Sequence, residues 1–201
     1  MSGVDWVGTG LAVLFIFIVS DVAYTLDHYF VHHDRKRYVT THGRHHRRYN
    51  GLRAGAHLDA YELGTYNSAG IMSCLGTSVL TLYTGNPGFL LGAVLKWAHS
   101  LLFHLYQHRW WGDVPVGKLG IPRPGRRWGL ATPRYHAFHH SNPDDDRFTY
   151  SESWTGLDRI LERLHPWLYK YTVDGRAEAR ARAEGRETAP STTVRLREYD
   201  R

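Results

Sequence analysis

Residues 6 to 26 read WVGTGLAVLFIFIVSDVAYTL, and no charged side chain occurs from Trp6 to Ser20. About 20 mostly apolar residues in a helix, at ~1.5 Å per residue, cover the ~30 Å hydrocarbon core of a bilayer, so this stretch predicts a first membrane span. Two more apolar stretches, 64 to 84 and 88 to 106, are separated by Thr84-Gly85-Asn86-Pro87-Gly88, a cluster that stops one helix and turns the chain. No residue from Gly64 to Leu95 is charged, and together the two stretches predict a membrane hairpin. The expected fold is all-α, an integral membrane helical bundle of about three to four membrane helices.

A mean hydropathy of −0.44 points the other way, toward a soluble protein. The average hides the distribution, because the segments outside the apolar runs are crowded with Arg, His and Asp. At 201 residues the chain has room for one domain. Residues 1–173 are assigned to it, and 174–201 to a charged tail that alternates Arg, Glu and Ala before turning to Pro, Ser and Thr, read as a solvated helix fraying into disorder. The one cysteine, Cys74, lies in an apolar run, which leaves neither a disulfide framework nor a thiolate metal site. The N-terminus lacks the basic region and small-residue cleavage site of a secretory signal, so the first apolar stretch is expected to be retained as a span.

The net charge of +6 comes mainly from arginine. The connector between the first span and the hairpin carries Arg35, Lys36, Arg37, Arg44, Arg47, Arg48 and Arg53, whereas the hairpin turn carries no charge. Short loops rich in Lys and Arg stay in the cytoplasm. That places the connector and the arginine-rich region after the third span inside, and the Asn86-Pro87-Gly88 turn and the N-terminus outside. Every dense histidine group then lies on the cytoplasmic side.

Ten of the fourteen histidines fall into four spaced groups. His28 and His32 are separated by three residues, as are His104 and His108; His42, His45, His46 and His136, His139, His140 each read His-x2-His-His. Residues three or four apart share a helix face, so each group can aim its imidazoles at a common point. Neutral imidazole binds first-row metals well, and ten exceed the four ligands that one zinc takes, which favours two metal ions. His33, beside His32, is read as backing a ligand or exposed, and His57, His99 and His165, outside the groups, as structural.

Ligating imidazoles call for groups that accept the other ring N–H. Asp27, Asp59, Glu62, Asp144, Asp145 and Asp158 are the candidates. Asp21, one turn inside an apolar span, either faces a substrate channel or sits at the interface. Trp110, with Trp111 and Tyr106, anchors the interface or lines a substrate entrance.

The order His28-x3-His32, His42-x2-His45-His46, His104-x3-His108, His136-x2-His139-His140 resembles the fatty acid hydroxylase and sterol desaturase superfamily of membrane-bound, histidine-rich di-iron oxygenases. The stretch Thr132-Pro133-Arg134-Tyr135-His136-Ala137-Phe138-His139-His140-Ser141 is similar to bacterial members, and the likeness covers roughly residues 10 to 165. It implies two iron ions at the cytoplasmic face, dioxygen as co-substrate, and hydroxylation or desaturation of a hydrophobic, lipid-like substrate. There are departures: Arg147-Phe148-Thr149 stands where members have Asn, an aromatic and Gly, and the residues around Asp158 differ. His108-Arg109-Trp110 is partly similar to a stretch of the beta-carotene hydroxylases of the same superfamily.

No haem, flavin or iron–sulfur motif is visible, so the electrons are expected from an external donor such as a ferredoxin with a reductase. Arg44, Arg47 and Arg48 would suit its docking, or would hold the chain against anionic lipid. The competing class, a metal transporter, needs ligands at mid-membrane, where residues 64 to 95 offer only Tyr and Cys. A nucleic-acid partner is not expected, because the basic segments are broken by ligand-spaced histidines and bounded by spans.

Overall fold

The computed structural model describes residues 5–48, 60–107, 129, 131, 135–136, 139–140 and 150–186, with backbone alone at 44, 47, 48 and 60–63. His57, Asp59, His108, Trp110, Asp144, Asp145 and the tail from 187 lie outside the described residues, as does the Glu62 side chain. Regular structure among the described residues is helical, apart from a bridge in which Ala131 N–H donates to Ser153 O and Thr155 N–H to Gly129 O.

The apolar run propagates without a breaker through Trp6–His32 as α1, 27 residues long. At ~1.5 Å per residue this is ~40 Å, more than the ~30 Å hydrocarbon core, so the helix has turns to spare beyond the expected span. His28 and His32 stand on those turns. Asp34 restarts the chain as an N-cap, accepting the Arg37 N–H at 3.1 Å, and α2 runs Arg35–Thr40. α3, His42–Arg48, carries the second histidine group.

α4 spans Ala60–Thr84 and α5 spans Gly88–Gln107. The turn falls where the sequence places it. Gly85, at φ 69°, takes the left-handed conformation that closes α4, its N–H donating to Thr81 O. Asn86 Oδ1 accepts the Gly88 N–H at 2.9 Å. Among the described residues, α1 and α5 are long and apolar enough to cross a membrane. α4, the second expected span, has the length, but Thr, Ser, Asn and Gly dilute its hydropathy. The chain continues as α6, Gly156–Leu168, a 3-10 turn at Tyr169–Tyr171, and α7, Val173–Ala183, capped by Thr172 Oγ1 on the Gly175 N–H.

The chain divides into two units. The first, Met1–Ala23 with His57–Tyr106, holds most of α1 with α4 and α5. A Cβ on Gly88 would stand 2.4 Å from Thr9 O, so glycine there lets α5 meet the α1 backbone directly. Asn86 Nδ2 donates to Gly8 O at 3.1 Å and ties the hairpin turn to the same place. Leu11, Phe15, Met72, Leu75, Leu82 and Leu102 face outward, as hydrocarbon requires and water penalises.

The second unit, Tyr24–Ala56 with Gln107–Arg201, holds the last turns of α1 with α2, α3, α6 and α7. Its apolar core is Tyr29, Tyr150, Leu161 and Leu168, with Leu26 and Phe30 packed against it. Gln107, buried, donates to Ala131 O at 3.2 Å and to Glu152 O at 2.9 Å, fixing the bridged segments.

Candidate metal centre

Among the described residues of the second unit, eight buried or half-buried histidines form two clusters. His28, His32, His42, His46 and His139 make the first, and His45, His136 and His140 the second; in each, one ligand nitrogen per residue lies within 4.8 Å of all the others. The clusters adjoin: the His46 and His140 rings are 4.6 Å apart and those of His42 and His45 are 5.5 Å apart.

Helix geometry explains how each His-x2-His-His group serves both clusters. The first and last histidines are four apart and share a face, while the middle one points about 100° away from the last. On α3, His42 and His46 therefore enter the first cluster and His45 the second. The later group is the mirror case, with His136 and His140 in the second cluster and His139 in the first. Two short motifs thus cross-link two adjacent ligand sets.

The donor atoms fit metal ions. His28 Nδ1–H donates to Tyr150 O at 2.8 Å, which leaves the Nε2 lone pair aimed inward. That Nε2 lies 2.7 Å from His42 Nε2, which in turn is 2.9 Å from His46 Nε2. His136 and His140 bring their Nε2 atoms to 3.0 Å. Three nitrogens converge on one point in the first cluster with room for one proton between them, so lone pairs are in excess and a cation is the natural occupant. Imidazoles bonded to one ion at ~2.1 Å and at right angles place their nitrogens ~3 Å apart, the spacing seen here. Burial, and then neighbouring imidazoles, hold His42, His46 and His139 well below the ordinary histidine range; burial and the charge of His45 do the same for His136. All four are neutral at pH 7, the form that binds metal.

Of the carboxylates expected behind the imidazoles, the two whose side chains are described, Asp27 and Asp158, have other partners. Asp27 is exposed and pairs with Arg37 at 2.9 Å. Asp158 is buried, but it accepts from the Tyr135 hydroxyl and from the backbone N–H groups of Tyr150 at 2.9 Å and Ser151 at 3.0 Å. The group that takes the His28 ring proton is a backbone carbonyl, that of Tyr150, and Asp158 holds that backbone from the other side. Burial pushes the Asp158 carboxyl up to about 7, against the pull of its three donors.

Tyr150 and Tyr38 went unnoticed in the sequence. The Tyr150 ring lies 5.2 Å from His32 and 5.6 Å from His28, and the Tyr38 ring 5.0 Å from His32. Neither has a spacing signal, whereas Tyr135 could have been found from its place beside His136. His165 Nδ1 and the Tyr29 hydroxyl share a hydrogen bond of 2.7 Å, and the His33 ring packs 4.5 Å from Tyr29.

In the first unit His104 is buried with its ring 5.1 Å from that of Tyr66, and His99 stacks on Phe103. Asp21 meets Lys96 of α5 at 2.5 Å, with side-chain exposures of 14% and 7%. The isolated carboxylate in an apolar span is thus answered by a cation. Lys96 was legible, being the one Lys or Arg between residues 64 and 107.

A family model for fatty acid hydroxylases matches residues 13–162, a span that takes in both clusters. The chain belongs to the fatty acid hydroxylase family. No curated protein and no solved structure matches it. Fatty acid hydroxylases are membrane-associated oxidoreductases of the histidine-rich, iron-dependent type, and the paired clusters and two apolar helices of this member accord with that character.

Proposed function

We propose that the chain is a membrane di-iron oxygenase that uses O2 and two external electrons to hydroxylate a C–H bond of a lipid-like substrate, fatty acyl, sterol or related. The observation that carries the reading is the division of each His-x2-His-His group between two adjoining clusters, which suits two ions held side by side. His104 and His108 are retained as ligands on the strength of their spacing. A pair of irons, when bound, supplies dioxygen activation and the power to oxidise an unactivated carbon.

The protein's own part is to hold and to insulate. His28 Nδ1 keeps its proton on Tyr150 O, so Nε2 stays a donor of its lone pair. Tyr150 and Tyr38 pack aromatic rings against the first cluster, and Tyr29 backs Tyr150, which keeps bulk water away. In the overall reaction one oxygen atom enters the C–H bond and the other leaves as water, with two electrons and two protons consumed. The electrons would come from an acidic ferredoxin-type donor with a reductase, docking on cytoplasmic arginines. Desaturation and carotenoid-type hydroxylation begin with the same hydrogen abstraction and form the second reading.

The test is metal content and product. Full-length protein extracted gently from iron-replete membranes is expected to hold about two irons per chain. Supplied with ferredoxin, reductase and labelled O2, it is expected to place one labelled oxygen in a lipid, sterol or carotenoid; an alkene product would select the desaturase reading. One tight zinc per chain, or metal that iron cannot replace, would overturn both and favour a metal-handling role.

A further inference from the structure

α6 and the 3-10 turn after it have two apolar faces; among the described residues one is buried and the other is exposed. Leu157, Asp158, Leu161 and Leu168 are buried on the inner face, where His165 also meets Tyr29. Ile160, Leu164, Trp167 and Tyr171 follow at steps of four, three and four residues, the spacing of a second stripe, and all four are 42% to 53% exposed. Arg159, Arg163 and Lys170 each immediately precede a stripe residue or its neighbour on the wheel, so at about 100° per residue they line one edge of the stripe. Lys170 Nζ stands 5.7 Å from the Trp167 ring centroid and 5.2 Å from that of Tyr171. Glu162, exposed, points nearly opposite to Ile160.

We propose that this outer face lies in the headgroup layer of an anionic bilayer, with Ile160, Leu164, Trp167 and Tyr171 dipped toward the acyl chains and Arg163 and Lys170 on lipid phosphates. Trp and Tyr with apolar bodies and polar tips, edged by Lys and Arg, are the side chains that settle at that depth. An acidic protein partner would account for the basic row alone and leave the apolar stripe in water, where such patches drive aggregation. The family is membrane-associated and two helices of the chain are long and apolar enough to cross, so a bilayer is at hand. The same helix carries Asp158 on its inner face, which makes lipid contact a means of steadying the histidine site. The inference is independent of which metal that site holds.

The test uses the full chain with Cys74→Ser, reconstituted in nanodiscs of neutral lipid with or without phosphatidylserine, and fluorophores at Leu164→Cys or Glu162→Cys. A headgroup-depth spin-labelled lipid is expected to quench position 164, and acrylamide to reach it several-fold less readily than position 162. Phosphatidylserine is expected to deepen the shielding of 164, and Arg163→Glu with Lys170→Glu to abolish that gain. Equal access of acrylamide to both positions overturns the proposal. So does shielding of 164 that arises only on adding a donor protein, which would make the stripe a protein-docking face, or a phosphatidylserine response unchanged by the charge reversal.

Discussion

Asp158, 1% exposed, joins three donors and through them both histidine clusters. Its Oδ1 fixes the Tyr150–Ser151 backbone whose carbonyl receives the His28 proton, and its Oδ2 takes the hydroxyl of Tyr135, the neighbour of His136. Asp158→Asn keeps the shape but turns an N–H2 toward one set of donors. It is expected to cost ~1–3 kcal/mol in thermal unfolding of the purified protein, whereas Tyr135→Phe, which spares the amides, should cost ~1 kcal/mol. Equal stability of Asp158→Asn and the parent would refute the hub role. A pH dependence follows from the buried histidines. Their folded values lie below the ordinary 6.5, so the unfolded chain takes up protons first, and the metal-free protein is expected to lose stability as pH falls below about 6.5. Asp158 has the opposite sign: pushed from 3.8 up to about 7, its share is whole below 3.8 and is lost as pH rises through about 7. Unfolding midpoints of stripped protein across pH would check this, and His46→Gln should flatten the acid limb.

At the scale of elements, α3 makes a prediction that spacing alone did not. His45→Ala should resemble His136→Ala and His140→Ala, each removing the ion of the second cluster, while His139→Ala should resemble His42→Ala and His46→Ala. Metal content per chain with Mössbauer spectra of iron-loaded variants would sort them; loss of both ions in every variant would mean that the clusters do not load separately. The Asp21–Lys96 pair makes another. Removing one partner, as in Lys96→Met, leaves a buried charge and is expected to cost ~3–5 kcal/mol in detergent unfolding, while Asp21→Leu with Lys96→Leu should be nearly neutral. A double variant as damaged as the single one would show that the pair is valued for something other than its mutual neutralisation.

For the whole molecule, the arginines of the connector set which side of the bilayer the histidines face. With the connector arginines inside, Tyr83→Cys beside the hairpin turn is expected to react with an impermeant maleimide on intact cells, and Lys36→Cys only after permeabilisation, both in a Cys74→Ser background. The reverse pattern would put the site outside and remove a cytoplasmic ferredoxin as donor. Tyr83 is 89% exposed and Lys36 is exposed on α2, so neither label should be hindered by the fold.

The helices, the hairpin turn at Gly85-Asn86 and the histidine groups were legible in the sequence because each is a local matter: apolar run length, a left-handed glycine, residues three or four apart on one face. Metal chemistry was legible for the same reason, since imidazoles at ligand spacing advertise themselves. What only the tertiary structure decided involves partners distant in the chain. Which histidine of a group joins which cluster depends on two helical segments nearly a hundred residues apart meeting face to face. That His28 is held by the Tyr150 carbonyl and not by Asp27, that Asp158 serves a backbone and a tyrosine and not an imidazole, and that Asp21 meets Lys96, all follow from through-space packing. Spacing along the chain carries no record of it, because any carboxylate within reach satisfies the same local rule.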